Sequence, residues 1–167
     1  KELVFHRRAS LKGYVDRFKT AEFLEKQPPW GVKCDVAFPT ACENELAAED
    51  ARTLVANGCT CVVEGANMPA THGARKVFLD AGIPFAPGKA SNAGGVACSG
   101  LEMAQNRSNM SWEVERVDAA LHAIMVRIHG ICSEAAARYG RPGDYVVGAN
   151  VAGFARIADA MIDQGPV

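Results

Sequence analysis

Apolar residues occur along the middle of this chain in short runs, and longer amphipathic segments separate the runs. Three runs have the length and composition of buried strands, and the segments between them have helical spacing. The strands are predicted at residues 34–38, 59–64 and 83–86, and the two helices at 44–57 and 71–82. Asn44 is expected to cap the first helix and Thr71 to start the second. This alternation predicts a parallel sheet with right-handed crossovers and helices covering it.

A further helix is predicted after the third strand, in the segment FAPGKASNAGGVACSGLEMAQN at residues 85–106. Asn92 is expected to cap this helix, and Gly94 and Gly95 follow in its first turn. Four backbone N–H groups lack helical partners there, and small residues let a ligand approach the positive end of the helix dipole. The same glycines would also let the helix pack closely on a strand, so the sequence leaves both interpretations open.

From Ser111 onwards the spacing of apolar residues is helical throughout. One helix of about 27 residues, or about 40 Å, is predicted first, and a last helix is predicted at residues 150–164. Two weaker helices are predicted at 1–8 and 13–23. His122 and His129 lie seven residues apart on the long helix, and no catalytic role is expected for them. The apolar stripe of the long helix comprises Val114, Val117, Leu121, Ile124, Ile128, Ile131 and Ala135.

Composition narrows the class of protein. The chain has 167 residues, of which 49% are apolar, and its net charge is −1. These values suit one globular domain, and the absence of long basic runs argues against a nucleic-acid surface or a polybasic membrane segment. No signal peptide or spanning stretch is recognised, so the expected location is the cytoplasm. Because the chain starts at Lys1 in what resembles the middle of an element, it is expected to be a piece of a longer protein.

The six cysteines do not form a metal-binding pattern. They stand at positions 34, 42, 59, 61, 98 and 132 without a CxxC pair. Cys59 and Cys61 point to one face of a strand, but no second pair follows that could complete a zinc site. We expect reduced thiols and no structural metal.

The loops after the three strands are the predicted ligand-binding edge, because open α/β sheets bind ligands beyond the carboxyl ends of their strands. Asn67 and Asn92 follow the second and third strands, and their amides can donate to and accept from a carboxamide or a sugar. Either residue could instead only cap a turn. Three strands are too few for a complete dinucleotide-binding fold, and no GxGxxG motif follows a strand. The half that binds the pyrophosphate is therefore missing.

Several segments resemble, in order, the C-terminal part of hexameric glutamate dehydrogenases of the short microbial type. The resemblance implies the second half of a Rossmann-like parallel-sheet domain at residues 1–110 and a helical hinge and closing segment at 111–167. It also implies reversible oxidative deamination of L-glutamate to 2-oxoglutarate and ammonia by a homohexamer, with NADP expected rather than NAD. The segments are CDVAFPTACENEL, CVVEGANMPAT, FAPGKASNAGGVACSGLEMAQN, SWEVERVDAAL and YVVGANVAGFARIADAMIDQGPV.

The resemblance assigns expected roles to five residues of this chain. Ser99 matches the serine that hydrogen-bonds the side-chain carboxylate of glutamate, and Val96 matches the residue beside the substrate's methylene groups. Asn67 and Asn92 match asparagines near the nicotinamide ribose and carboxamide. Ala41 matches a residue that lines the same pocket. These are the candidate substrate-binding and cofactor-binding residues.

The chain also departs from the pattern of the family. Cys42 stands where threonine is usual, Glu43 where glutamine is usual, and Cys98 where a small or hydroxyl residue is usual. The catalytic lysine and aspartate and the lysines that hold the substrate belong to an N-terminal domain that this chain lacks. We therefore expect no catalytic residue in this chain and no activity from it in isolation. The alternatives are a non-catalytic binding or assembly module and a dehydrogenase for another amino acid, such as leucine or phenylalanine.

Overall fold

Three short parallel strands form a single sheet. The computed structural model describes residues 6 and 8–165. Its strands β1 (Val36–Ala37), β2 (Cys61–Val63) and β3 (Phe85–Ala86) lie in the order β1-β2-β3. In the register of the sheet, Val36 pairs with Cys61, and Val62 pairs with Phe85. The predicted parallel α/β arrangement is confirmed.

Two helices connect these strands. Helix α2 (Ala48–Ala56) joins β1 to β2, and helix α3 (His72–Asp80) joins β2 to β3. Helix α3 begins where the sequence predicts, because the Thr71 hydroxyl accepts a hydrogen bond from the amide of Ala74 at 3.2 Å. Gly82, with φ of +68°, follows the end of the helix in the left-handed conformation that glycine adopts easily.

Helix α2 begins later than the sequence predicts, and Asn44 does not cap it. Asn44 has φ of +56° and lies in the loop before the helix. Its amide donates to the carbonyl of Met68, and the amide of Leu46 donates to that of Pro69, each at 3.0 Å. Residues 44–46 thus bond the loop after β1 to the loop after β2 through their backbones. The Asp50 carboxylate caps the first turn of the helix instead, because it accepts a hydrogen bond from the amide of Ala47 at 2.9 Å.

The core lies between the sheet and helices α2 and α3. The rings of Phe78 and Phe85 stack with their centroids 5.8 Å apart. Trp30 closes one end of this core, and its indole N–H donates to the carbonyl of Glu45 at 3.2 Å. Burial of these side chains supplies the main stabilisation of the sheet unit. The largest fully buried members are Phe78, Phe85, Leu46, Leu54 and Val62.

Four helices follow β3 and form the second half of the structure. They are α4 (Gly88–Ser91), α5 (Ala93–Ser108), α6 (Val114–Arg138) and α7 (Tyr145–Gln164). The long predicted helix is confirmed as α6, and most of the predicted stripe lies on its less exposed side, where Val117, Leu121, Ile124, Ile128 and Ala135 are half-buried. Cys132 and Ala136 are buried, whereas Val114 and Ile131 are exposed.

Cys132 and Ala136 are buried at the close crossing of α6 and α7. A Cβ atom added at Gly148 on α7 would overlap the carbonyl of Cys132 and lie 3.2 Å from the Cβ of Ala136. Small side chains on both helices are therefore required where the helices cross.

Helix α7 begins five residues before the predicted start at Asn150. The Asp144 carboxylate caps it by accepting from the amide of Val147 at 3.0 Å, and it also accepts from the Arg141 guanidinium at 2.8 Å. The resulting 20-residue helix is long and apolar enough to cross a bilayer by length and composition, which corrects the sequence prediction. A helix from the core of a soluble protein meets the same two criteria.

The predicted helix at residues 13–23 is wrong beyond Arg17. A short 3₁₀ turn at Leu11–Gly13 leads into helix α1 (Tyr14–Arg17), and Phe18 is extended with φ of −120° and ψ of 95°. The side chains of residues 8–29 are exposed or half-buried, so no packing stabilises a longer helix there. The other predicted helix, at residues 1–8, lies almost entirely outside the described residues.

Candidate functional site

The loops after β1 and β2 form one continuous surface at the carboxyl edge of the sheet. The amide of Gly65 donates to the carbonyl of Pro39 at 2.9 Å, and the amide of Thr71 donates to that of Leu46 at 3.0 Å. Leu46 and Ala70 also form an isolated parallel bridge. Backbone hydrogen bonds therefore hold these two loops in fixed positions relative to each other.

The side chain of Glu64 joins the second loop to the third. Glu64 is only 3% exposed. Its Oε2 accepts from the amide of Gly88 at 2.6 Å, and its Oε1 accepts from the amide of Ala70 at 3.1 Å. The sequence analysis placed Glu64 at the end of a strand and gave it no role. The signal that could have found it is an acid directly after an apolar strand, because a buried carboxylate needs hydrogen-bond donors.

The short helix α4 packs closely on this carboxylate. The Ser91 hydroxyl lies 2.5 Å from the carbonyl of Glu64 and 3.0 Å from that of Pro87. A Cβ atom at Gly88 would lie 2.5 Å from the carbonyl oxygen of Ala66. Only glycine fits at this position, so α4 lies directly on the loop after β2.

The amides of Asn67 and Asn92 are hydrogen-bonded to each other at this edge; the sequence predicts both residues here but not their contact. The Asn92 Nδ2 donates to the Asn67 Oδ1 at 2.7 Å. Within the part of the chain that the structure describes, the Asn67 Nδ2 and the Asn92 Oδ1 make no hydrogen bond. The pair therefore presents one unbonded NH₂ group as donor and one unbonded carbonyl oxygen as acceptor, and this holds whichever way the two amides are assigned.

Asn92 occupies the position before α5, as expected, but its side chain does not cap the helix. Asn92 has helical dihedral angles, with φ of −78° and ψ of −9°, and its side chain accepts no bond from the following turn. The chain is already helical before it, since the amide of Asn92 donates to the carbonyl of Gly88 at 3.0 Å. Helix α4 thus precedes α5 directly, and the Asn92 side chain is free to reach Asn67.

The two glycines of the first turn of α5 have different environments. A Cβ atom at Gly94 would lie 3.7 Å from the sulfur of Met125 on α6, whereas one at Gly95 would have no atom within 4 Å. Gly94 therefore faces helix α6, not a strand, and Gly95 lies on open surface. The ligand-binding interpretation of this turn stays a prediction.

Val96 and Ser99 lie three residues apart on α5, so they share one side of the helix. Val96 is 73% exposed, and Ser99 is also exposed. The Ser99 hydroxyl donates to the carbonyl of Gly95 at 3.3 Å, which is long for an O–H···O bond. The result is an accessible apolar side chain beside an accessible hydroxyl.

The remaining candidates lie around this surface. Ala41 is exposed in the loop after β1, and its amide donates to a carboxylate oxygen of Glu45 at 2.8 Å. Cys42 and Glu43 are exposed beside it. The sequence analysis missed Lys89, whose ammonium donates to the Asn150 side-chain oxygen at 2.6 Å and so links α4 to α7.

Thiols and histidines contribute no recognisable chemistry here. Burial raises the pKa of the Cys34, Cys61 and Cys132 thiols, and the neighbouring Cys59 raises the pKa of Cys34 and Cys61 further. The Nε2 atom of His129 lies 3.1 Å from the Tyr145 hydroxyl. Among the described residues, no group of three or more His, Cys, Asp or Glu side chains could hold a metal ion.

Comparison with known proteins identifies the family. The chain is 55% identical to the NADP-specific glutamate dehydrogenase of Salmonella typhimurium, over 87% of this chain and 32% of that protein. It is 49% identical to the NADP-specific glutamate dehydrogenase of Helicobacter pylori, over 99% of this chain and 38% of that protein. The solved structure of Plasmodium falciparum glutamate dehydrogenase matches with a TM-score of 0.94 at 42% identity, over 99% of this chain and 36% of that one.

The chain thus spans 32–38% of the length of these relatives. The sequence profile of the glutamate/leucine/phenylalanine/valine dehydrogenases matches residues 1–165. The chain belongs to this dehydrogenase family.

Proposed function

We propose that this chain is the C-terminal part of a longer polypeptide that catalyses the reversible oxidative deamination of L-glutamate to 2-oxoglutarate and ammonia, with NADP rather than NAD as cofactor. Residues 1–110 would form the second half of its dinucleotide-binding domain, and residues 111–167 its helical hinge and closing segment. The observation that carries the proposal is the Asn67–Asn92 amide pair at the carboxyl edge of a parallel sheet. The named activity of the similar proteins supports it.

The asparagine pair fits the nicotinamide end of the cofactor. A carboxamide presents one acceptor and one donor, and the pair presents one donor and one acceptor in return. Gly95 leaves open space next to Asn92, so a ring can approach the start of α5. When bound, the nicotinamide supplies the position that accepts the hydride. Asn67 and Asn92 would hold its ribose and carboxamide and thereby orient it, and Ala41 would line the same pocket.

Val96 and Ser99 would orient the substrate against this ring. The Val96 side chain offers an apolar contact for the methylene groups of glutamate. The Ser99 hydroxyl can turn from the long bond to Gly95 and donate to the side-chain carboxylate. Hydride transfer needs the two reacting carbon atoms close and aligned, and positioning of this kind supplies a large part of the rate.

The complete protein would be a cytoplasmic homohexamer without a nucleic-acid or membrane partner. Exposed apolar side chains on α7, including Phe154, Ile157 and Ile162, would then be covered by the rest of the polypeptide or by neighbouring subunits. Analytical ultracentrifugation of the complete polypeptide tests this, and the expected species has the mass of six copies.

The test of the function is a spectrophotometric assay of the complete polypeptide with L-glutamate and either NADP or NAD. We expect glutamate-dependent reduction of NADP that exceeds that of NAD, and the 167-residue chain alone should show none. Equal or faster turnover of leucine or phenylalanine would indicate another amino-acid dehydrogenase. Absence of turnover with all three amino acids would favour a non-catalytic binding or assembly module.

A further inference from the structure

We propose that Glu64 is a positioning residue that sets the separation and orientation of Asn67 and Asn92, and so the affinity for the cofactor. The inference rests on the proposed function. It starts from a buried carboxylate, 3% exposed, that accepts from the amide of Ala70 in the loop carrying Asn67. The same carboxylate accepts from the amide of Gly88, which opens the helix that leads to Asn92.

Both oxygens of this carboxylate are used by backbone donors. Oε2 accepts from Gly88 at 2.6 Å and Oε1 accepts from Ala70 at 3.1 Å. Among the described residues, no lysine, arginine or histidine forms an ion pair with Glu64. The two amides therefore provide the electrostatic stabilisation of the buried charge, and the charge in turn draws the two backbone segments together.

The geometry around Glu64 leaves these segments little freedom. The Ser91 hydroxyl reaches the Glu64 carbonyl at 2.5 Å, one residue before Asn92. Gly88 lies so close to the loop after β2 that a Cβ atom would be 2.5 Å from the Ala66 carbonyl oxygen. The 2.7 Å bond between Asn92 and Asn67 therefore joins the loop after β2 to the end of α4, two segments that Glu64 already holds together.

The substitution Glu64→Gln separates this role from simple space filling. Glutamine has the same shape but only one acceptor oxygen, so its NH₂ group must face the amide of either Gly88 or Ala70. One buried donor loses its partner and the two segments move apart. In the complete polypeptide we expect the Kd for NADPH, measured by fluorescence titration, to rise about tenfold, as leaving a buried donor unpaired implies. The KM for glutamate at saturating NADP should change less than about twofold, because Glu64 contacts neither Val96 nor Ser99.

Further variants serve as controls for the effect of Glu64→Gln on the Kd for NADPH. Val62→Ala removes a fully buried side chain from the same strand, and it should lower the melting temperature without changing the Kd for NADPH. In an Asn92→Ala background, Glu64→Gln should have little additional effect on that Kd, because the amide that Glu64 positions is gone. If Glu64→Gln does not fold, Glu64→Asp decides: the shorter side chain keeps both acceptor oxygens but cannot reach both amides at once, and the same Kd is expected to rise about threefold.

The outcomes are distinct. A wild-type polypeptide that binds no NADPH would overturn the proposed function and this inference with it. Wild-type binding with an unchanged Kd in Glu64→Gln, or in Glu64→Asp where the former does not fold, would overturn the inference alone. It would also be overturned if Val62→Ala raised the Kd equally at the same loss of melting temperature, or if the effects of Glu64→Gln and Asn92→Ala were additive.

Discussion

At the scale of single residues, the Ser99 hydroxyl has two competing partners. In this structure it donates to the carbonyl of Gly95 at 3.3 Å, and in the proposed enzyme it would donate to the substrate carboxylate. A bond to a charged acceptor is the stronger one, so Ser99→Ala in the complete polypeptide should cost about 1.5 to 3 kcal/mol of substrate interaction, or roughly ten- to a hundredfold in kcat/KM for glutamate. Steady-state kinetics measure this change.

The control for this variant is the affinity for the cofactor. The Kd for NADPH should stay the same in Ser99→Ala, because the Asn67–Asn92 pair is untouched. The competing explanation is that Ser99 only bonds to its own helix. Unchanged values of KM and kcat/KM for glutamate, together with a lower melting temperature, would favour that explanation and exclude the substrate role.

At the scale of elements, the crossing of α6 and α7 depends on one glycine. A Cβ atom at Gly148 would overlap the backbone of Cys132, whereas one at Gly153, on the same helix, would meet nothing within 4 Å. Gly148→Ala should therefore destabilise the fold by about 1 to 3 kcal/mol through overpacking. Gly153→Ala should stabilise it by about 0.5 to 1 kcal/mol, because alanine has less conformational freedom to lose in a helix.

Chemical denaturation of the complete polypeptide measures both changes, with Gly153→Ala as the matched control. The two variants add the same methyl group to the same helix, so helix propensity cancels in their comparison. Equal stabilities of the two variants would show that α6 and α7 are not in close contact in solution. A selective loss in Gly148→Ala would confirm the crossing.

At the scale of the whole molecule, the chain exposes much apolar surface. Val96, Val114, Phe154 and Ile162 are each more than 70% exposed, and β1 is an edge strand whose backbone can pair with another chain. We therefore expect the isolated 167-residue chain to dimerise or aggregate at micromolar concentration. Sedimentation velocity and calorimetry are the measurements, and a monodisperse monomer with a cooperative melting transition would contradict this expectation.

The order and type of the central elements were predictable from the sequence because they depend on local properties. The three apolar runs, the helical spacing between them and the cap at Thr71 are visible within a few residues of each other. Residues that follow parallel strands lie at the carboxyl edge of the sheet, so the sequence alone predicted that Asn67 and Asn92 lie at this edge. The resemblance to a known family added their expected roles.

The tertiary structure decided what distant residues do to one another. Asn44 does not cap α2, because the loops after β1 and β2 pair through their backbones. Asn92 precedes α5, but its side chain bonds to Asn67 and does not cap the helix. Glu64 received its two amide donors only when the loop after β2 and the start of α4 met. The close approach of α7 to Cys132 and Ala136 on α6 depends on Gly148 across the helix crossing. Periodicity carries information about which side of an element is apolar, whereas such contacts depend on which elements become neighbours, and local sequence does not encode that.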